Sequence, residues 1–360
     1  MNRNKLTTMI LSDKNMNKAF KSLSEQKGIY ALSEEELCQL WSTYTENKET
    51  IQEQILRCLW FPAPGKPVEV MKKDGTFRKV LLLQPQDRLI QQAVFCGLRE
   101  WFRNDFSDSL YLYDKYRGVR RAHRKCLQIL RSGHPYALKL DVKNCGESLS
   151  KNIAMKKLSQ KIFDKPAIEL LSSLIYLTQD GPASLFYETD GLFASSELTG
   201  LIIDICLMEL DEWLDQNHIP FVRFTDDWMI FGDDPHEIKE YLAFIEEWLH
   251  TNLGLQLNKE KTAIQHSSYG PFLGARILYS KKKDRYFLCP VKGGAWQPYG
   301  HLILKEPYKK KESRQKRDDR KSEASKHASS KKHKRKKRKM KSSSITKTKD
   351  SCKDNIRQPC

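Results

Sequence analysis

Asp226 and Asp227 stand side by side between two apolar, strongly β-forming runs, Phe221-Val222-Arg223-Phe224 and Trp228-Met229-Ile230-Phe231. Burying adjacent carboxylates desolvates them and sets like charges together. A divalent cation would neutralise both effects. A third acid, Asp141, ends another short apolar run, 136–142. If the two strands are neighbours, three hard oxygen donors converge at one point, a set suited to Mg²⁺, or Mn²⁺, with room left for water and phosphate. Two such ions about 4 Å apart stabilise both the attacking and the leaving oxygen of an in-line phosphoryl displacement. The bland alternative is a polar Asp-Asp hairpin turn and a helix-capping Asp141.

The elements that would position these acids can be read along the chain. Residues 6–56 read as helices, including 14–23 and a helix from Ser33 to Ser42 opened by a Ser33/Glu36 capping box. The Pro-rich segment 61–67 breaks them. Alternation across 68–80 about Asp74-Gly75 reads as a β-hairpin with a tight turn, followed by a helix over 85–102. Residues 151–177 carry Leu158, Ile162, Ile168, Leu171 and Ile175 at helical intervals. The segment 200–214 is apolar enough for a buried helix, and 235–253 is amphipathic. Residues 255–264 and 271–278 read as strands or strand-like turns.

Charge is concentrated at one end. The chain has 63 Lys and Arg against 45 Asp and Glu, a net of +18. Residues 309–360 hold 22 of the bases and 6 of the acids, a net of +16, which leaves +2 for 1–308. Such a tail cannot bury enough apolar surface to offset ordering entropy, so disorder is expected. Its run Lys334-Arg335-Lys336-Lys337-Arg338 suits sequence-independent phosphate contact, or simple solubilisation. Nine dispersed cysteines with no Cys-x-x-Cys pair argue against a zinc knuckle. No apolar run approaches the roughly 18 residues of a membrane span, so a cytoplasmic protein without a membrane partner is expected.

Several motifs in order resemble the reverse transcriptases. Phe224-Thr225-Asp226-Asp227 resembles their aromatic-x-Asp-Asp signature, and Leu140-Asp141-Val142-Lys143-Asn144 their first catalytic-aspartate motif. Lys72 to Arg78, with Asp87 to Ala93, is similar to the fingers of bacterial group II intron-type enzymes. Tyr116-Arg117-Gly118-Val119-Arg120 is similar to a Tyr-Gly-Phe-Arg element, and 23–37 to the intron enzymes' N-terminal element. Leu255 to Thr262 and Phe272-Leu273-Gly274 resemble the last two palm motifs.

The resemblance implies an α+β right-hand polymerase, with a ferredoxin-like palm, α/β fingers, a reduced or absent thumb and a disordered basic C-terminal tail. It divides the chain into an N-terminal helical element (1–60), fingers (61–135), palm (136–280), a short post-palm segment (281–308) and the tail (309–360). The implied activity is RNA-directed DNA polymerisation on an RNA template and primer from dNTPs. Asp141, Asp226 and Asp227, with the Val142 carbonyl, would hold the two metal ions. Lys73 and Arg78 would grip the triphosphate, Lys261 would protonate pyrophosphate, and Gly274 would let the primer strand approach.

Departures from the family carry their own expectations. Before the buried helix, Phe193 and Ser195 replace a Pro and a Gly in a loop that, in the family, packs on template and base. Gly146 replaces the aromatic that blocks a ribose 2′-hydroxyl, so discrimination between deoxy- and ribonucleotides is expected to be weak or set elsewhere. With no thumb bundle after Leu278, the tail, an accessory protein or a structured non-coding RNA would hold the duplex. The pattern is that of stand-alone or unclassified bacterial enzymes, which implies phage defence or a mobile element. The competing readings are a template-independent or ribonucleotide-adding polymerase and a catalytically silent RNA-binding scaffold.

Overall fold

A helical N-terminal element leads the chain: α1 (Lys5–Ile10), α2 (Asp13–Ser24) and α3 (Glu34–Leu56). The computed structural model describes residues 5–71, 75, 77–112, 118–178, 190–192, 196–292 and 295–296. It divides into Met1–Tyr299 and Gly300–Cys360, and the second unit lies outside the described residues, as does the expected disorder of 309–360. The Ser33/Glu36 capping box forms as read, but α3 runs on to Leu56 instead of stopping near Ser42. No Gly or Pro interrupts 34–56, so nothing local ends the helix.

β1 (Lys66–Met71) and β2 (Phe77–Leu82) form the expected antiparallel hairpin. The last described pair is Met71↔Phe77, and the tight turn read at Asp74-Gly75 falls on 72–76, of which only Gly75 is among the described residues. α4 (Pro85–Trp101) starts on a proline, whose missing N–H is harmless in a first turn. It is buried along most of its length against α2. A Cβ at Gly97 would lie 2.5 Å from Ile10 Cγ1, so α1 rests directly on α4 there. α5 (Val119–Arg131) leads into the palm.

The palm contains β3 (Tyr136–Asp141), α6 (Cys145–Ser148), α7 (Lys151–Lys161), α8 (Lys165–Ile175), α9 (Glu197–Gln216), β4 (Phe221–Phe224), β5 (Asp227–Gly232), α10 (Pro235–Leu253) and β6 (Ala263–His266). Its sheet has the antiparallel order β4-β5-β3-β6. With crossovers after β3 and β5, this is the split β-α-β-β-α-β topology of a ferredoxin-like palm. Ala137 and Leu138, neighbours on β3 with opposite-facing side chains, are both fully buried. Both sheet faces are therefore covered, which explains why the strands read as continuous apolar runs.

One expected helix, 151–177, is two. Asp164 caps α8 through Ala167 N, and Pro166 sits in its first turn. Proline cannot continue the preceding helix. Asp164 also accepts from Thr7 N, at 2.8 Å, and from Thr7 Oγ1, a tertiary tie that helical periodicity does not reveal.

A second sheet follows, ordered β10-β9-β8-β7, from β7 (Ser268–Phe272), β8 (Ala275–Ser280), β9 (Arg285–Lys292) and β10 (Ala295–Trp296). β9 pairs with β8 from Ser280↔Arg285 to Ala275↔Pro290. The post-palm segment thus begins as a hairpin partner of the last palm strand.

Candidate active site

Asp141, the last residue of β3, and Asp227, the first of β5, are direct Cα partners in the antiparallel register. Phe224 pairs with Asp227 across β4 and β5, leaving Thr225-Asp226 as a two-residue turn. Thr225 has φ +54°, an uncommon conformation for a β-branched residue. Arg223 helps hold it, because its Nη1 donates to the Thr225 carbonyl at 3.0 Å.

Arg223 is fully buried. Its Nε donates to both Asp211 oxygens at 2.8 and 3.0 Å, Nη2 donates to Asp211 Oδ2, and Nη1 donates to Asp204 Oδ1. Asp204 and Asp211 lie seven residues apart, two turns along one face of α9. Burial pushes the Asp211 carboxyl up to about 6, against the pull of Arg223. This network latches α9 to the strand that leads into the Asp226–Asp227 turn. Its sequence signal was Asp204 inside the apolar run 200–208, with Asp211 seven residues on and one arginine in a buried strand.

Two lysines face the carboxylates. Lys139, two residues before Asp141 on the same face of β3, places Nζ 3.9 Å from Asp227 Oδ1, and its side chain is only 8% exposed. Lys261 Nζ lies 3.7 Å from Asp141 Oδ2 on a mostly exposed side chain. Asn258 N donates to the Asp141 carbonyl at 2.8 Å, and Asp141 N donates to Thr262 Oγ1 at 3.4 Å. The 255–262 segment therefore fastens the backbone that carries the acid.

The Asp227 carboxyl is pushed up to about 6, first by burial, with Asp226 and Asp141 adding and Lys139 and Lys261 opposing. Asp226 also adds to the burial that raises the Cys145 thiol, which sets it beside the same motif. These are hard oxygen donors in a partly desolvated, mutually repelling group, and a divalent cation suits them. Among the described residues, no three His, Cys, Asp or Glu side chains already close around one point, and Lys139 and Lys261 partly offset the acids' charge.

The other anticipated residues fall as follows. Val142 is buried and bridged to Leu257. Gly146 lies in α6, its carbonyl accepting from Leu192 N at 2.9 Å. A Cβ there would meet Ile203 Cδ1 and Thr199 Cγ2 at 3.8 and 3.9 Å, ordinary contact, so a Cβ would fit. Gly274 has φ +77° after Leu273 at +49°, closing the β7–β8 turn in a left-handed pair. Arg78 pairs with Val70 in the hairpin. Lys73, Ser195 and Lys334 to Arg338 lie outside the described residues, as does the Arg78 side chain.

Two further residues escaped the sequence reading. A Cβ on Gly191 would fall 1.8 Å from the Glu147 carbonyl oxygen, so only glycine lets that loop pair with Ser150 beside the Asp141 motif. His123 Nε2 donates to the Phe272 carbonyl at 2.9 Å, fixing the turn that carries Gly274.

A ferredoxin-like palm whose central strands bring two aspartates into register, with a third beside them, defines the class of right-hand nucleotide polymerases. Residues 70–283 match the family described as reverse transcriptase (RNA-dependent DNA polymerase). That is more than half of the chain, and the chain belongs to this family. It is 21% identical to the COX1/OXI3 intron 2 protein of Saccharomyces cerevisiae over 64% of this chain and 34% of that protein. It is also 21% identical to YkfC of Escherichia coli, over 66% and 72%. The chain thus spans about a third of the first relative's length. The distant similarity to intron-encoded proteins anticipated from the motifs is present. Among solved structures, telomerase from Candida albicans in complex with a TWJ fragment of telomeric RNA aligns with a TM-score of 0.45 at 15% identity, covering 69% of this chain and 50% of that one. No helix among the described residues is long and apolar enough to cross a membrane.

Proposed function

We propose that the chain extends a primer on an RNA template from deoxynucleotides. The observation that carries this is the Asp141–Asp227 register, with Asp226 in the adjoining turn. Asp141, Asp226 and Asp227, with the Val142 carbonyl, are the residues that would hold Mg²⁺, or Mn²⁺. Two such ions, when bound, supply charge stabilisation to the attacking and leaving oxygens.

The remaining roles belong to the chain's own groups. Lys261 has the reach and exposure to carry a proton to departing pyrophosphate. Lys73 and Arg78 bind the triphosphate, and Ser195 borders the templating base. Gly146 puts no aromatic ring at the position that excludes a ribose 2′-hydroxyl in the family, which favours weak sugar discrimination. The left-handed turn at Gly274 admits the primer backbone, and Lys334, Arg335, Lys336, Lys337 and Arg338 contact phosphates. A structured RNA or an accessory protein completes the grip on the duplex, and the setting is a bacterial cytoplasm, in phage defence or a mobile element.

The test is primer extension on an RNA template by the full chain and by its Asp227→Asn variant. Template-dependent DNA synthesis by the first and none by the second supports the reading. Synthesis without template favours the template-independent alternative. A folded protein that binds RNA and synthesises nothing with either cation leaves the scaffold reading.

A further inference from the structure

Outside the carboxylate site, α5 has a marked charge asymmetry among the described residues. Between Asp114 and Asp141 the sequence contains no acid, in a body whose net charge over 1–308 is only +2. At 3.6 residues per turn, Arg120, Arg121, Arg124, Gln128 and Arg131 fall within an arc of about 100°. All five are exposed. Ala122, His123, Cys126, Leu127, Ile129 and Leu130 fill the opposite side and are buried. Arg120, Arg124 and Arg131 make no ion pair among the described residues. By contrast, α3 exposes Glu34, Glu35 and Glu36 in its first turn alone, so unrelieved positive charge is not general to this surface.

The helix is also held firmly. Its apolar side packs on β4 and β5, the strands flanking Asp226 and Asp227, and its His123 is tied to the Phe272 carbonyl. Arg120 and Arg131 are about 16 Å apart along the axis. That length lets the guanidinium groups face several successive phosphates of one strand. Forked guanidinium groups pair with phosphate oxygens better than point charges do, and here they stand on a rigid, acid-free element.

We propose that the exposed face of α5 is a docking surface for the phosphate backbone of an RNA strand, read without regard to base sequence. The choice of RNA rests on the proposed RNA-directed activity. The experiment measures binding of a labelled RNA to the full chain across a salt series. It compares wild type with Arg120→Gln/Arg124→Gln/Arg131→Gln, and with a control of equal charge loss from scattered exposed sites, Lys14→Gln/Lys165→Gln/Lys239→Gln. The tail is common to all three.

The expected result is a log–log salt slope shallower by about 2 to 3 for the arginine variant, with at least about tenfold weaker binding near 0.1 M salt and little change in the control. An unchanged slope, an equal drop in the control, or no RNA binding by wild type overturns the proposal. So does loss of binding to an acidic polypeptide such as polyglutamate with RNA binding intact, which identifies a protein partner instead. Primer extension by wild type is scored separately. Its absence overturns the polymerase reading, whereas an active enzyme whose slope ignores the arginines overturns only the α5 surface.

Discussion

Arg223 and Asp211 form a fully buried, forked ion pair, with Nε 2.8 Å from Oδ1 and Nη2 on Oδ2. Removing one partner of such a pair strands buried charge and typically costs about 3–5 kcal/mol, whereas replacing the whole set by apolar groups is often neutral. Arg223→Ala is therefore expected to unfold at much lower urea than wild type. Arg223→Met/Asp204→Leu/Asp211→Leu should regain most of that stability yet extend primers poorly, because the Thr225 carbonyl has lost its donor. Equal urea midpoints for the single and triple variants would refute this account.

Asp227→Asn should lower primer extension by at least about 10³-fold, since several kcal/mol of charge stabilisation goes with the carboxylate. The same variant has a metal-free consequence. Burial pushes the folded carboxyl up to about 6, above the ordinary carboxylate range, so the fold favours its neutral form. That contribution is complete below about 4 and is lost as pH rises through about 6. The side chain is 39% exposed, so the relative gain for Asn at pH 7 is about 1 kcal/mol or less after screening. Melts in EDTA at pH 5 and pH 7.5 check it, and the gain should be larger at the higher pH.

Burial lowers the pKa of His123, with the Phe272 carbonyl partly opposing. A base whose folded pKa is depressed stabilises the fold above its unfolded value, about 6.5, and loses that contribution as pH falls below it. His123→Gln keeps a donor for the carbonyl but does not titrate. Its melting temperature should therefore fall less than that of wild type between pH 7.5 and 5.5; parallel curves would exclude His123 as the cause.

At Gly274 a side chain would meet nothing within 4 Å, but φ is +77°. Conformation, not space, is the constraint. Gly274→Val should cost about 1–3 kcal/mol and Gly274→Asn much less. Chemical denaturation of both variants separates strain from crowding, because crowding would penalise Asn as well.

Gly146 has ordinary contact distances around a hypothetical Cβ. Gly146→Phe should fold and should shift nucleotide choice toward deoxynucleotides, while wild type accepts both sugars. Separate kcat/KM values for dNTPs and rNTPs decide it, and strict deoxynucleotide use by wild type would remove Gly146 as the determinant.

Much of the local structure was legible because it depends on local chemistry. The Ser33/Glu36 box, the β1–β2 hairpin and the limits of α10 follow from capping, alternation and proline. The three aspartates stood out because acids flanked by apolar β-formers are costly without a purpose. Tertiary ties were not legible: Asp164, which caps α8, is also held by Thr7, 157 residues away, and no periodicity records that.

The sequence by itself determined most of the elements, their order and the candidate acids, though not α5, β9 or the break between α7 and α8, since residue type and spacing set backbone preference and donor chemistry. Tertiary structure alone decided that β3 and β5 meet in a register placing Asp141 opposite Asp227, that Lys139 lies buried beside them, and that Arg223 joins α9 to the turn. Strand pairing and buried ion contacts join residues far apart in the chain, and their energies depend on burial that only the folded arrangement supplies.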